Sequence, residues 1–530
     1  MSAVASLSPF LSALSLHWGY TSFRPGQEEI AASIAAGRDA CVVMPTGGGK
    51  SLCYQLPAAL AEDRTAIVIS PLIALMQDQV AQLDEMGIPA AVLNSSQSSS
   101  QRDAVRRDAL SGKFRLLYLS PESIAQEGTL RWLKSLALSF FVIDEAHCIS
   151  EWGHDFRPEY RLLSRLRREF PALPIAAFTA SATQHVRHDI VSQLGLRDPF
   201  KFIASFYRPN LQYRVRECSP AEQEAILLDA LRSLEAGSAI VYSPTIRRVE
   251  DVVEFLKAKG IPAIGYHGKM DPARRRRNQE LWSTNKVRVV VGTVAFGLGI
   301  NKPGVRKVIH LALPKSIEQF YQEAGRAGRD GLPAECLLLW QKRDAAIIAH
   351  FLSQIENKQE KERGWMRYHE IREFVDNSAC RQLQICRHFG EQPKWPSCGK
   401  CDACVGFPTW MSKAIETNEK FPSRASSAPM SPQARESLNL LNQGLSFAEI
   451  ARRRGRTLQS VENLFGAMVE RRQCPYRPEW VQSSRYNQIC LVAQKVGWDR
   501  LKPIKESLPE EITYGEIRLV AAHQRVQSVQ

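Results

Sequence analysis

Residues 40–51 read Ala-Cys-Val-Val-Met-Pro-Thr-Gly-Gly-Gly-Lys-Ser, and they give the strongest indication of the fold in this sequence. Its apolar start predicts a buried strand, and its glycines let the backbone curl so that several N–H groups point at a phosphate. A helix is expected to follow, so that Lys50 reaches the β- and γ-phosphates of a nucleotide and Ser51 ligates Mg²⁺. The other residues predicted to bind the nucleotide in this loop are Thr46, Gly47, Gly48 and Gly49. A glycine-rich turn with a chance Lys-Ser pair is the alternative.

Short apolar runs alternate with helical periodicity on both sides of this stretch. The alternation predicts parallel sheets with helices on both faces. Two series of this kind, separated by a hinge near residues 205–210, predict two α/β domains in tandem. The predicted strands are 40–44, 65–70, 116–120, 140–144 and 175–179 in the first domain, and 239–243, 263–266, 287–292, 307–311 and 335–339 in the second.

An acidic motif, Asp144-Glu-Ala-His147, stands at the end of predicted strand 140–144. A carboxylate at the carboxyl end of a parallel strand is well placed to hold Mg²⁺ together with Ser51, and we assign that role to Asp144. Glu145 is then the candidate that orients or deprotonates the attacking water. A chance surface tetrapeptide is the alternative, and the position at a strand end favours the catalytic interpretation.

Two arginines lie in the glycine-rich segment 322–331, near the end of the second predicted domain. Phosphoryl transfer builds up negative charge, which a guanidinium can stabilise. The spacing of three between Arg326 and Arg329 predicts that both lie on one face of a helical turn. We therefore expect a catalytic cleft between the two domains, against the alternative of an ordinary basic helix end.

Four of the 12 cysteines have the spacing of metal ligands. Cys398, Cys401 and Cys404 form two overlapping Cys-x-x-Cys steps, and Cys380 precedes them at a distance that permits a fourth ligand. Four thiolates suit one tetrahedral, structural Zn²⁺. A redox pair is the alternative. The nearby Cys386 is interpreted as a packing residue.

The composition gives the class of partner. The 530 residues carry a net charge of +14, which favours a polyanion, although a merely basic surface is the alternative. The sequence has no apolar stretch of the length that a bilayer span needs, and its start does not resemble a signal peptide. We expect a cytoplasmic protein with no membrane contact.

Further motifs make residues 16–404 resemble the RecQ family of superfamily 2 helicases. Residues 16–27 are similar to that family's adenine-recognition motif, which implies that Gln27 reads the adenine edge with Arg24 nearby; an amide suits such pairing. Met44 departs from the glycine of the usual phosphate loop, as is normal in superfamily 2. The other matching motifs are 70–79, 120–122, 179–183, 241–245 and 292–301.

Residues 149–160 resemble the aromatic-rich loop that distinguishes RecQ proteins from other superfamily 2 helicases. Trp152 and Phe156 can stack on bases, and Arg157 can meet a phosphate or a ring face. The resemblance implies that His154 reports DNA contact to the ATP site. Burial of both aromatic rings in a core is the alternative.

The end of the chain departs from many RecQ proteins, because the linker-like segment after the cysteines is too short for a winged helix. Residues 444–464 instead predict a helix-turn-helix unit. Its arginines, Arg452, Arg453, Arg454 and Arg456, are offered as phosphate contacts, with a helical bundle carrying solvated arginines as the alternative. How a duplex is split without the usual wedge is left open.

The predicted fold class is α/β: two tandem RecA-like motor domains, a helical zinc-binding platform and a mainly helical C-terminal domain. The predicted boundaries are 1–207 and 208–342 for the motor domains, 343–408 for the zinc-binding domain, 409–432 for a linker and 433–530 for the C-terminal domain.

The predicted function is an ATP-dependent DNA helicase of repair and recombination, with ATP, Mg²⁺ and Zn²⁺ as cofactors. The resemblance implies 3′ to 5′ movement on single-stranded DNA, tailed duplex as substrate, and association with the bacterial nucleoid. A monomer is expected, with a single-stranded-DNA-binding protein or repair proteins as partners. The alternatives are a translocase without strong unwinding, a DEAH-type RNA helicase, and a DNA-binding scaffold with a vestigial motor.

Overall fold

The computed structural model of the protein describes residues 8–94, 97–153, 155–296, 302–411, 432–470, 473–498 and 501–527. The chain divides into two compact units, Met1–Glu416 and Thr417–Gln530. None of the helices formed by the described residues combines the length and the apolar character that crossing a bilayer requires.

The first unit begins with a seven-stranded sheet in which every strand pair is parallel. Its order is β3-β4-β2-β5-β6-β1-β7. The strands are β1 (Ala40–Val43), β2 (Thr65–Ile69), β3 (Ala90–Leu93), β4 (Leu116–Leu119), β5 (Leu138–Ile143), β6 (Ile175–Thr179) and β7 (Phe200–Ile203).

Helices cover both faces of this sheet, so its central strands are buried on each side. They are α1 (Pro9–Ala13), α2 (Gln27–Ala35), α3 (Lys50–Leu60), α4 (Ile73–Glu85), α5 (Ser99–Leu110), α6 (Pro121–Ala125), α7 (Glu127–Leu133), α8 (Pro158–Arg161), α9 (Ser164–Glu169) and α10 (Gln184–Gln193), with a π-helix at Leu14–Trp18 and a 3₁₀ turn at Ala146–Ile149.

A second parallel sheet, of six strands, follows in the order β10-β11-β9-β12-β13-β8. Its strands are β8 (Leu211–Glu217), β9 (Ser238–Tyr242), β10 (Ala263–Tyr266), β11 (Val289–Gly292), β12 (Val305–His310) and β13 (Ala334–Trp340). Its helices are α11 (Pro220–Arg232), α12 (Ile246–Ala258), α13 (Pro272–Ser283) and α14 (Ile317–Ala324).

Four helices complete the first unit: α15 (Lys342–Ser353), α16 (Lys358–Asp376), α17 (Arg381–His388) and α18 (Asp402–Val405). One continuous apolar cluster runs from the first sheet through the second and into these helices, and it includes Ile143, Phe206, Leu338 and Phe389. The three parts therefore share a core.

The second unit is helical, with its own apolar core. Its helices are α19 (Pro432–Asn442), α20 (Phe447–Arg453), α21 (Leu458–Glu470), α22 (Ser483–Val496), α23 (Leu501–Glu506) and α24 (Tyr514–Gln527). Helices α20 and α21 form the predicted helix, turn and second helix. Arg454, offered as a phosphate contact, lies 3.2 Å from the Glu436 carboxylate and is engaged within its own unit.

The predicted fold class is confirmed, and the differences are local. Strands β3, β7 and β8 were not predicted, because they are short or carry polar residues at alternate positions; in β7 the alternate side chains are exposed. Trp410 and Met411 lie where a linker was predicted to start, yet both pack against the core of the second sheet. The rest of that predicted linker, 412–431, lies outside the described residues.

Candidate functional site

The carboxyl ends of four neighbouring strands, β1, β2, β5 and β6, converge at one edge of the first sheet. Backbone hydrogen bonds set this alignment: the amide of Met44 donates to the carbonyl of Thr179 at 3.0 Å, and the amide of Asp144 donates to that of Ile69 at 2.9 Å. Because parallel strands end together here, the loops that follow them lie side by side.

The phosphate loop connects β1 to α3, which begins at Lys50 as predicted. Gly47 and Gly49 have φ values of 83° and 82°, a left-handed conformation that favours glycine. The Lys50 ammonium donates to the carbonyl of Met44 at 3.3 Å and so lies back across the loop. Burial lowers the pKa of Lys50, and the carboxylates of Glu145 and Asp144 oppose that shift.

Gln27 and Arg24 brace this loop from the side. The Gln27 amide nitrogen lies 3.4 and 3.3 Å from the carbonyls of Gly48 and Gly49, and its oxygen accepts from the Arg24 amide at 2.9 Å. The Arg24 guanidinium donates to the carbonyl of Gly47 at 2.6 Å. A Cβ at position 49 would stand only 2.3 Å from the Gln27 amide nitrogen, so close approach also requires glycine there.

Asp144 follows β5 and is buried. Its carboxylate accepts from the Ser70 hydroxyl at 3.4 Å and from the Glu145 amide at 3.0 Å. Burial raises the pKa of Asp144 to about 6, the Glu145 carboxylate adds to the rise, and Lys50 opposes it. A carboxylate that is costly to desolvate beside a second acid is suited to binding a cation.

A chain of polar contacts leads from Glu145 into the second sheet's domain. Glu145 has φ 48°, a left-handed conformation rare for this residue type, and its carboxylate lies 3.2 Å from the His147 ring. His147 Nδ1 is 2.9 Å from the Thr179 hydroxyl, which accepts from the Ser181 amide at 3.3 Å. The Gln322 amide of α14 donates to the Ser181 hydroxyl at 2.8 Å. The contact between the domains, from Gln322 to Ser181, is therefore linked to the acidic motif through Thr179 and His147.

Arg326 and Arg329 are brought to the same cleft, but not by a helix. Helix α14 ends at Ala324, so both arginines lie in the turn that follows; the helical face predicted for them was wrong. Gly328 lies between the two arginines and turns the chain, because its φ of 56° is left-handed. Burial, together with the neighbouring Arg326, lowers the pKa of Arg329 to about 9.

The predicted nucleotide residues, with the exception of Gly48, line one cavity of about 720 Å³ between the two sheets' domains. Its lining includes Gln27, Lys50 and Asp144 from the first domain and Arg326 and Arg329 from the second. The aliphatic part of Arg329 lies against the phosphate loop, 3.1 Å from where a Cβ on Gly47 would be. Sequence reasoning missed Arg208, whose guanidinium touches both domains at the cleft and whose only sequence signal was its place in the hinge.

The aromatic-rich loop follows the acidic motif. Trp152 is not a core residue, because it is 39% exposed. The centre of its ring lies 4.7 Å from that of His185 and 5.9 Å from the guanidinium of Arg363. Phe156 is half-buried with Arg161 5.8 Å from its ring.

Arg157 completes the described part of this loop. It pairs with Asp155 at 3.1 Å and lines the nucleotide cavity. The predicted sensor, His154, lies outside the described residues.

The four predicted cysteines converge, with one ligand atom from each within 4.8 Å of the others. The Sγ atom of Cys401 lies 3.4 Å from the Sγ atom of Cys404 and 4.0 Å from that of Cys380. The Sγ atoms of Cys398 and Cys404 are 3.9 Å apart. Tetrahedral zinc with Zn–S bonds of about 2.3 Å requires thiolates about 3.8 Å apart, so the set fits zinc.

Backbone amides support the cysteine cluster. The Cys398 amide donates to the sulphur of Cys380 at 3.2 Å, and the Arg381 amide donates to that of Cys401 at 3.4 Å. Such donors stabilise thiolate charge. Cys386 is buried within α17 and is not part of the cluster.

Four protein-family profiles match the chain in succession. They are a DEAD/DEAH box helicase domain at residues 24–189, a helicase conserved C-terminal domain at 222–331, a RecQ zinc-binding domain at 342–405 and a helix-turn-helix domain at 433–521. ATP with Mg²⁺ and a zinc-binding region are therefore properties of the matched domains.

Solved structures share the fold of the motor domains. The Saccharomyces cerevisiae protein Dbp5, bound to RNA and ADP BeF3, has a TM-score of 0.51 at 17% identity over 69% of this chain and 98% of its own. The helicase MrfA, bound to DNA and AMPPNP, has a TM-score of 0.54 at 22% identity over 65% of this chain and 52% of its own.

Relatives of higher identity share more than the fold. The ATP-dependent DNA helicase RecQ of Haemophilus influenzae is 44% identical over 75% of this chain and 64% of its own length. A Caenorhabditis briggsae protein, named as a candidate ATP-dependent DNA helicase Q1, is 38% identical over 81% of this chain and 68% of its own. The chain thus spans about 64% of the bacterial relative, and it belongs to the RecQ family of superfamily 2 helicases.

Proposed function

We propose that this protein is an ATP-dependent DNA helicase that moves 3′ to 5′ along single-stranded DNA and separates duplex in repair and recombination. One observation carries the proposal: a phosphate loop, two carboxylates and two arginines from different domains line a single cavity. A nucleotide bound there would touch both domains, so its hydrolysis would alter how they meet.

Each side chain has a proposed role in hydrolysis. Lys50 and the loop amides bind the β- and γ-phosphates, and Gln27 with Arg24 reads the adenine. Ser51 and Asp144 would hold Mg²⁺, which supplies charge stabilisation on the phosphate oxygens.

The reacting water and the developing charge are assigned to the remaining residues. Glu145 orients the attacking water, and Arg326 with Arg329 stabilises the charge that develops. The contact of Glu145 with His147 supports the first role, because it holds the carboxylate beside Asp144.

The chain from His147 through Thr179 and Ser181 to Gln322 is the proposed route of coupling. It joins the acidic motif to the helix that precedes Arg326. A change in the γ-phosphate would therefore reach the second domain through hydrogen bonds of ordinary length.

DNA contact is assigned to the aromatic-rich loop. The exposed ring of Trp152 offers a stacking surface, and Phe156, Arg157 and His154 are the other proposed contacts. Cys380, Cys398, Cys401 and Cys404 would hold a structural Zn²⁺, because four thiolates leave no open coordination position. Repair proteins, including a single-stranded-DNA-binding protein, are the proposed partners of a nucleoid-associated monomer.

The test measures ATP hydrolysis and strand separation together on a duplex with a 3′ single-stranded tail and on its 5′-tailed counterpart. We expect DNA-stimulated hydrolysis on both tails and unwinding of the 3′-tailed duplex only. Lys50→Ala is the control that separates this activity from a contaminating ATPase.

Other outcomes point to the alternatives. Hydrolysis without unwinding on either substrate indicates a translocase, and greater stimulation by RNA indicates an RNA helicase. Absence of hydrolysis in the wild-type protein contradicts the proposal.

A further inference from the structure

Arg208 bridges the two domains beside the nucleotide cleft, through hydrogen bonds to backbone carbonyls of each. It lies in the short connection between β7, which ends at Ile203, and β8, which begins at Leu211. Its Nη1 donates to the carbonyl of Thr46, in the phosphate loop, at 3.3 Å. The same guanidinium donates to three carbonyls of the turn that carries Arg326 and Arg329, those of Gly325 at 3.5 Å and of Ala327 and Gly328 at 3.2 Å each.

These contacts need a guanidinium. Its rigid, planar fork presents several N–H donors at once, so one side chain can bond to four carbonyls on two domains. No described carboxylate lies within ion-pair distance of Arg208, which leaves its donors to backbone oxygens. The carbonyls that it binds flank Arg326 on one side of the cleft and precede Lys50 on the other.

The backbone of Arg208 is held in turn by the cysteine-bearing region. Gln382, buried in α17 two residues after Cys380, accepts from the Arg208 amide at 3.3 Å and donates to the Arg208 carbonyl at 2.6 Å. The side-chain amide of Gln382 also donates to the carbonyl of Leu211, the first residue of β8, at 3.1 Å. Both hydrogen-bonding groups of the Gln382 side chain are therefore committed to the hinge.

Other residues of the same region fix the rest of the hinge. The Glu391 carboxylate accepts from the Phe206 amide at 2.8 Å, and the Phe206 ring stacks on Phe389 with ring centres 4.2 Å apart. Lys400, inside the cysteine cluster's loop, donates to the carbonyl of Pro209 at 2.8 Å. The hinge is thus attached along its length to the region that carries the cysteines.

We propose that Arg208 is a positioning residue for ATP hydrolysis, and that Gln382 acts through it, so that the cysteine-bearing region helps to set the geometry of the ATP site. This inference rests on the proposed function. Arg208 aligns the phosphate loop with the turn that carries Arg326 and Arg329, while Gln382 fixes the point from which Arg208 reaches. The cysteine-bearing region then contributes to the geometry in which ATP is hydrolysed, in addition to packing against the two sheet domains.

The test is a pair of single variants and their double variant in the full chain. Arg208→Gln removes the bridge but keeps a polar side chain, and we expect kcat for DNA-stimulated hydrolysis to fall about 30-fold, since small misplacements of catalytic groups have effects up to about 10²-fold. Binding of a fluorescent ADP analogue is expected to change less than about threefold, because the phosphate loop is formed by the first domain alone. The kcat of Arg208→Lys should be close to that of Arg208→Gln, because an ammonium group cannot bond to four carbonyls at once.

Gln382→Asn shortens the amide by one methylene and is expected to lower kcat about fivefold. If Gln382 acts through Arg208, the double variant should be no slower than Arg208→Gln alone. Additive losses would overturn the link between Gln382 and Arg208. Arg197→Gln is the matched control, because the Arg197 guanidinium donates to the carbonyl of Pro171 within its own domain.

The outcomes separate this inference from the proposed function. Wild-type hydrolysis together with an unchanged kcat in Arg208→Gln overturns the inference and leaves the helicase assignment intact. A wild-type protein without hydrolysis refutes the proposed function instead. If Arg208→Gln lowers the melting temperature markedly, Gln382→Asn carries the test, and an unchanged kcat in that variant counts against the inference.

Discussion

The two sheet domains of the first unit share an architecture but contribute to the cleft in different ways. The first places Ser70 and Asp144 directly after strands, where the register of a parallel sheet sets their positions, and it places Lys50 at the start of the helix that follows β1. The second places Arg326 and Arg329 in a turn that follows a helix, and neither residue directly follows a strand in the sequence. The first half of the site is therefore built by one domain, whereas the second half depends on how the domains meet.

The largest expected effect is the loss of an arginine from the second domain. Arg329→Ala should lower kcat about 10³-fold, because a guanidinium near the transferred phosphoryl group is worth that much or more. A fluorescent ADP analogue should still bind, since the first domain holds the nucleotide. Lys50→Ala is the contrast and should lose both turnover and binding; equal binding losses in the two variants would contradict the comparison.

Removing the carboxylate of Glu145, in the first domain, should leave ADP binding largely unchanged as well. Glu145→Gln keeps the size of the side chain and its reach to His147, but it cannot accept the proton of the attacking water. We expect kcat to fall about 10²-fold with little change in ADP affinity. Steady-state hydrolysis with saturating single-stranded DNA measures kcat. Undiminished turnover would show that Glu145 does not activate the attacking water.

A smaller effect is expected at the aromatic-rich loop. Trp152→Ala removes an exposed stacking surface, which should raise the DNA concentration needed for half-maximal hydrolysis about tenfold. Trp152→Phe keeps a ring and should recover most of the loss. If both variants bind DNA as the wild type does, the ring has no role in binding.

The smallest effect concerns pH. The raised pKa of Asp144, about 6, means that this carboxylate takes up a proton as the pH falls through that value, and the protonated form binds Mg²⁺ poorly. KM for MgATP should therefore be about fourfold higher at pH 5.5 than at pH 7.5. Free Mg²⁺ and MgATP are held constant at each pH, and a flat profile would show that the group stays ionised throughout.

Local spacing explains which parts of the site were predictable. The glycines before Lys50, the Asp144-Glu145 pair and the cysteine steps place their chemistry within a few residues of one another, so composition and short-range geometry suffice. The buried strands could also be predicted from the sequence, because a strand covered on both faces is continuously apolar. Strand β7 was missed because its alternate residues are exposed.

Long-range contacts explain what was missed. Arg208 bonds to carbonyls 117 to 162 residues away in the sequence, and backbone carbonyls have no sequence signature. Arg326 and Arg329 were assigned to a helical turn because their spacing fits one, but α14 ends at Ala324, and Gly328, with φ 56°, lies between the two arginines. The predicted hinge near residues 205–210 coincides with the connection between β7 and β8, whereas the attachment of this connection to the cysteine-bearing region depends on the tertiary fold.

The backbone of Glu145 has a consequence for protein engineering. A left-handed conformation costs a side-chain-bearing residue about 1 kcal/mol, and glycine adopts it without that cost. Relief of this strain would offset the extra chain entropy of a glycine, so Glu145→Gly should melt close to the wild type while losing the proposed water-activating group. A variant library sorted by heat resistance alone would retain inactive proteins at this position, and only a screen for turnover would keep the acid.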